Sequence, residues 1–324
     1  MAEKKFQHTS RKEPMSKIYE ALLQAELERL NSDPNAVATL ETAQRNVAAT
    51  AAALGVTPLA PSQPTPSTPL RSARPGIQTI AWDKIPTHVW HPVLDYLPAL
   101  QHRSAAAEQF RSLRARMYEY RGFNKLKSIL VSSGQAQEGK SFVACNLALT
   151  LAYQKDNRVL LIDGDLRRST VHKMIGCKAE PGLAEYLLGT AEAYDIMQRA
   201  DLGTARDMPD GSAMANLTVV PGGSGGEAVA DLASNERFRT LLEMVAPTFD
   251  WIVVDSSPVN LVSDSVHMAR ECDGVLLVVR SGITQYELAQ RAQNEFKSSN
   301  VLGVVLNGST EAPPTGYYGY ESGE

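Results

Sequence analysis

Between an apolar run at Ser128 to Ser132 and a helix-forming stretch, FVACNLALTLAYQ, the chain carries GQAQEGKS, Gly134 to Ser141. A glycine-rich loop that leaves a strand and opens a helix can turn its backbone N–H groups inward, and the positive end of the helix adds to their pull on phosphate. Lys140 is placed to reach the β and γ phosphates of a nucleotide, and the Ser141 hydroxyl to hold Mg²⁺. This strand–loop–helix unit favours a parallel sheet, because parallel neighbours need a crossover connection.

The rest of the C-terminal two-thirds repeats the alternation. Strands are expected at Arg158 to Asp163, Leu217 to Val220, Trp251 to Asp255, Gly274 to Val279 and Leu302 to Leu306, with helical stretches between them. Most are continuous runs of Val, Ile and Leu, as strands covered on both faces require. The fold class is therefore α/β: a doubly wound, mainly parallel sheet of the P-loop NTPase type, with a small helical segment at the N-terminus.

Acidic residues close two of these strands. RVLLIDGDLRRS ends in Asp163 and Asp165, which period-two geometry sends to one side if the strand continues that far. At the carboxyl edge of the sheet they would lie near the phosphate site, although an aspartate there can also cap a helix or sit in a turn. DWIVVDSSP ends in Asp255, the Walker B arrangement, in which the carboxylate orients Mg²⁺ directly or through water.

Four segments organise the 324 residues. Residues 1–55 read as two short helices, IYEALLQAELERL capped by Ser16 and an Ala-rich helix opened by Asp33 and Pro34. Their apolar stripe is thin, so they form either a loosely ordered tail or a partner-docking element. Residues 56–76 are a Pro, Ser and Thr linker that could extend on the order of 60 Å. Residues 77–310 form the nucleotide domain, opening with an irregular arm that contains Trp82, Trp90 and Tyr96. A helix from Ser104 to Arg121 follows, with Phe110, Leu113, Met117 and Tyr120 on one face and Gly122 as its stop. Residues 311–324 are a flexible tail bearing Tyr317, Tyr318 and Tyr320.

A net charge of −4 offers no basic field for nucleic acid or an anionic membrane. No apolar run approaches the ~18 residues of a membrane span, so any membrane link is borrowed from a partner. Cys145, Cys177 and Cys272 fit neither a disulfide framework nor a metal pattern and point to a reducing compartment.

GQAQEGKS, LLIDGDLRRS, IVVDSSPV and VLGVVLN with its tyrosine-bearing tail together resemble the bacterial tyrosine kinases of exopolysaccharide synthesis. They belong to the ParA/MinD-like (SIMIBI) P-loop ATPases. The resemblance covers about Ser104 to the C-terminus, and MSKIYEALLQAE is similar to the N-termini of soluble members paired with a chain-length-determinant protein. It implies an ATP- and Mg²⁺-dependent autokinase that phosphorylates Tyr317, Tyr318 and Tyr320 and regulates polysaccharide length and export.

Under that resemblance Gly134, Gln135, Ala136, Gln137, Glu138, Gly139, Lys140, Ser141 and Phe142 bind ATP, and Asn307 contacts the base. Asp163 polarises the attacking tyrosine while Asp165 acts on the metal with Ser141 and Asp255, or the two aspartates exchange roles. Glu108, Arg111 and Arg114, three apart on a helix, join subunits into a ring, the alternative being a solvated face. The partner implied is a transmembrane polysaccharide copolymerase, which holds a cytoplasmic chain at the inner face of the membrane.

Some positions set this chain apart. Positioning ATPases of the same group carry a second lysine after the first loop glycine, where this chain has Gln135; an amide supplies no positive charge to a developing phosphoryl anion. Ser256, Ser257 and Pro258 replace the kinases' usual pair of prolines, and PGGSGGEA, Pro221 to Ala228, stands where they more often have an Asn-Pro turn. Both are read as local loop changes that touch no phosphate ligand. Arg167 and Arg168 match the kinases' basic follow-on or form a plain exposed pair. The competing functions are a nucleotide-switched positioning ATPase and an idle ATP-binding scaffold. The tail bears on the choice: ten residues from Asn307 to Tyr317 span about 35 Å at most, enough to visit a nearby active site.

Overall fold

Alternating inward and outward side chains account for the architecture of the nucleotide domain. A computed structural model describes residues 78–101, 104–207, 211–224 and 236–309 of the chain. The expected N-terminal helices, the linker and the tyrosine tail lie outside these residues. Eight strands form one sheet: β1 (Thr87–His88), β2 (Ser128–Ser133), β3 (Val159–Asp163), β4 (Gln198–Ala200), β5 (Leu217–Val220), β6 (Trp251–Asp255), β7 (Gly274–Arg280) and β8 (Val301–Asn307). Their order is β1-β4-β5-β3-β6-β2-β7-β8, and every neighbouring pair is parallel except β4 with β5.

The described helices are α1 (Ala105–Phe123), α2 (Lys140–Ala152), α3 (Val171–Ile175), α4 (Leu183–Leu188), α5 (Leu202–Asp207), α6 (Gly211–Asn216), α7 (Glu236–Val245), α8 (Asp264–Glu271) and α9 (Tyr286–Glu295). Leu130, Leu160, Ile162, Ile252 and Val254 point to one face, where they meet α4, α7 and α8. Ile129, Val131, Val159, Leu161, Trp251 and Val253 point to the other, against α1, α2 and α6. Each central strand is thus buried on both sides, which is why its sequence is apolar without alternation.

The six expected strands are all present, with ends shifted by at most a residue. Nothing in the sequence pattern marks β1 or β4 as strands. QRA and TH carry no apolar run, and pairing to neighbours rather than side-chain pattern makes them strands. The expectation of Gly122 as a helix stop is corrected: α1 runs through Gly122 to Phe123, and Asn124 in extended conformation ends it. At the other end Ser104 is the cap, its hydroxyl accepting from the Ala107 N–H at 3.0 Å.

The arm at 78–101 is pinned to the domain by backbone and side-chain bonds rather than by long elements. His91 N donates to Gly176 O at 2.9 Å and Val93 N to Met174 O at 3.0 Å. Trp90, 2% exposed, enters the core, whereas Tyr96 is 53% exposed and does not pack as the sequence suggested. Asn146, fully buried on α2, takes the Ala99 N–H at 3.0 Å and gives its amide protons to Tyr96 O and Phe142 O, each at 2.9 Å. Replacing it with Leu would orphan the backbone groups it serves, at about 1–3 kcal/mol for each one left unsatisfied.

Candidate active site

The sheet register brings the site together. Asp163 on β3 pairs with Asp255 on β6, and Asp255 pairs with Val131 on β2, three residues before the phosphate loop begins. The loop then enters α2 at Lys140. Gly139 caps that helix with φ +92°, which favours glycine, and a Cβ there would stand 2.0 Å from Asn307 Nδ2 and displace that side chain. Gln137, at φ +66°, also takes the left-handed region.

Side chains hold the loop open from outside. Buried Glu138 accepts from its own loop's Gln135 N–H at 2.7 Å and from the Thr284 hydroxyl. The Ser133 hydroxyl donates to Gln135 O at 2.7 Å and Arg280 Nη1 to Gln137 O at 2.9 Å. Asn307 Nδ2 donates to Glu138 O at 2.9 Å. The structure therefore places Asn307, expected at a base, on the loop backbone. Ala136 and Gln137 at the loop tip are exposed.

Three carboxylates and one ammonium face this loop, each in a different state. Lys140 Nζ pairs with Asp165 Oδ2 at 2.8 Å. Burial alone would lower the Lys140 pKa; the nearby Asp255, Asp165 and Asp163 outweigh it and the net shift is upward. Asp163 is fully buried. Its Oδ2 accepts from the Ser169 hydroxyl at 2.7 Å, Thr170 N at 3.0 Å and Val171 N at 3.1 Å, and its Oδ1 from Asp165 N at 3.2 Å. Burial raises its pKa to about 6, against the pull of those donors. Asp255 is equally buried; among the described residues neither oxygen accepts a hydrogen bond of good geometry, although the Ser141 hydroxyl beside it bears on its charge. Burial pushes the Asp255 pKa up to about 8; Lys140 and the adjacent Ser141 hydroxyl oppose the rise and the neighbouring aspartates add to it.

A buried carboxylate without a well-formed donor beside a buried hydroxyl is the donor set of a hard cation. Ser141 and Asp255, with Asp165, fit Mg²⁺. No group of three or more His, Cys, Asp or Glu among the described residues could hold a metal unaided, so the phosphates and water would complete its shell.

Ser257, in a segment expected to be a local loop change, reaches the site: its hydroxyl donates to Asp165 Oδ1 at 3.1 Å. The glycine-rich segment also reaches the site. A Cβ on Gly222 would lie 2.7 Å from Ser169 Cβ and 3.5 Å from Asp163 Cγ. Of the basic pair, Arg167 Nε bonds Asp264 Oδ2 at 3.1 Å, and Arg168 offers its backbone N–H to Asp165 Oδ1 at 3.1 Å. On α1, Glu108 and Arg111 pair with each other, and Arg114 Nη1 turns inward to Thr150 O of α2 at 3.0 Å.

A parallel doubly wound sheet with this loop and these acids defines a P-loop nucleotide-binding domain. No family model matches the chain. Among curated relatives, the tyrosine-protein kinase YwqD of Bacillus subtilis is 30% identical over 221 residues, 67% of this chain and 88% of YwqD. The tyrosine-protein kinase ptk of Acinetobacter johnsonii is 30% identical over 204 residues, 62% of this chain but 26% of that longer protein. The solved kinase domain of the Escherichia coli tyrosine kinase ETK aligns with TM-score 0.59 at 28% identity, covering 69% of this chain and 84% of that domain. The chain belongs to the bacterial tyrosine-protein kinase family. No helix among the described residues is long and apolar enough to cross a membrane.

Proposed function

We propose that the protein is an ATP-dependent tyrosine autokinase that moves the γ phosphoryl of ATP to Tyr317, Tyr318 and Tyr320 of a C-terminal tail. The observation that carries the reading is the Lys140–Asp165 pair at the mouth of the phosphate loop, beside an Asp255 that has no well-formed donor among the described residues, in a chain of this family. Mg²⁺, when bound, neutralises charge on the β and γ phosphates and orients them.

The remaining work belongs to the chain. Loop amides between Gly134 and Ser141, apart from that of Gln135, which Glu138 already holds, and the Lys140 ammonium grip the phosphates and stabilise charge that grows during transfer. Ser141, Asp165 and Asp255 fix the metal. Asp163, with a pKa near 6, is poised to accept the phenol proton, whose ordinary pKa is about 10. Oδ1 is the oxygen with capacity to spare, since Oδ2 already takes three donors. Glu108, Arg111 and Arg114 contribute to a homo-oligomer in which one tail reaches a neighbour's site. Arg114 would keep its bond to α2 or exchange it for that contact. A transmembrane polysaccharide copolymerase activates the kinase at the inner face of the membrane, and the cycle sets exopolysaccharide length and export.

Incubating purified full-length chain with γ-labelled ATP and Mg²⁺ tests the reading. Label should enter the protein and be lost when Tyr317, Tyr318 and Tyr320 are all changed to Phe. Hydrolysis without protein label would contradict it and favour a positioning ATPase.

A further inference from the structure

Asp165 does not stand free at the loop mouth. Its Oδ2 takes Lys140 Nζ at 2.8 Å, and its Oδ1 accepts the Arg168 N–H and the Ser257 hydroxyl, both at 3.1 Å. Ser257 is 2% exposed and is itself anchored: its carbonyl accepts the hydroxyl of Ser132, on β2, at 3.1 Å. The next residue back, Ser256, gives its N–H to Val131 O at 3.1 Å. The serine is therefore tied to the strand that launches the phosphate loop. A proline in its place has no hydroxyl to donate.

We infer that Ser257 is a positioning residue that holds Asp165 in its ligand-ready orientation for Mg²⁺–nucleotide, an assignment that rests on the nucleotide reading of this site. When phosphates arrive, Lys140 must share its protons with them, and Asp165 loses part of its strongest partner. Ser257 keeps Oδ1 occupied through that exchange, so the carboxylate stays aimed at the cradle. Orienting the group beforehand spares the ordering cost that binding would otherwise carry.

The test uses the full chain and a fluorescent ADP analogue, titrated in excess Mg²⁺ and again in EDTA. Ser257→Ala should weaken binding in Mg²⁺ about tenfold or more, on the scale of one hydrogen bond to a charged group, with less than about a twofold change in EDTA. Ser257→Thr should restore the Mg²⁺-dependent gain while its isostere Ser257→Val does not, a comparison that stands even if the alanine variant folds poorly. Equal loss in Mg²⁺ and EDTA, or no loss in either, would overturn the assignment. Failure of the unaltered chain to bind the analogue at all would instead overturn the nucleotide reading beneath it.

Discussion

The ends of β3 and β6 lie side by side, and each finishes in a fully buried aspartate. After β3 the chain turns back over its own carboxylate: Asp163 takes four donors, and two of them are the N–H groups of Thr170, the cap of α3, and Val171, its first residue. After β6 the chain leaves through Ser256, Ser257 and Pro258, and among the described residues Asp255 is left with no donor of good geometry. One acid is already part of the fold, while the other is an unfinished coordination shell. Burial penalises both, and the larger upward shift falls on the acid without a well-formed donor, to about 8 against about 6. Adjacent positions of the same residue type thus do different work: Asp163 is held by the fold with capacity left on Oδ1, while Asp255 is kept for a ligand.

Lys140 pairs with Asp165 and lies in the field of both acids, so changing it should have the largest effect. Lys140→Met should lower tyrosine labelling by at least about 10²-fold, measured with γ-labelled ATP. Labelling within about twofold of the unaltered chain would mean that neither acid works through this ammonium. Next comes the structural half of the contrast. Asp163→Ala removes the acceptor of Ser169, Thr170 and Val171 and should cost the ligand-free protein about 2 kcal/mol in urea unfolding. A neutral result would erase the distinction between the two strand ends.

The pH dependence sharpens the same contrast. Both folded pKa values lie above the ordinary carboxylate value, so between about pH 4 and 8 these two groups hold more protons in the folded chain than in the unfolded one. Their joint contribution to stability is therefore greatest at low pH and is lost as pH rises through about 6 and then about 8. Unfolding midpoints of the ligand-free protein from pH 5.5 to 8.5 should carry this downward component, and Asp255→Asn should flatten its upper half. A variant curve parallel to that of the unaltered chain would place the proton elsewhere. The smallest effect is expected far from the acids. Arg114→Ala breaks one partly buried bond to Thr150 O and should cost about 1 kcal/mol; sedimentation of the same variant with nucleotide reads whether Arg114 also joins subunits.

Much of this was legible in the sequence because it is local. The loop, the two acid-tipped strands and the central strands each announce themselves within a dozen residues. What escaped depends on neighbours distant in the chain. The run VLGVVLN reads as a strand buried on both faces, yet β8 is the sheet's edge and leaves Val304 57% and Leu306 60% exposed; strand order is not written in a strand's own composition. Ser257 lies 92 residues from the aspartate it holds and Arg114 lies 36 from the carbonyl it caps. The departure from proline at Ser257 was visible, but only the fold showed which side chain it faces.

The sharpest measurement is thermal unfolding of the unaltered protein and Asp255→Asn at pH 8, each with and without Mg²⁺ and ATP. The amide keeps the shape of the side chain and removes a buried charge that lacks a well-formed donor among the described residues. The variant should unfold at a higher temperature than the unaltered chain when ligand-free and gain less when Mg²⁺ and ATP are added. A variant that is less stable without ligand, or equally stabilised by Mg²⁺ and ATP, would show that Asp255 is not the carboxylate held open for the metal.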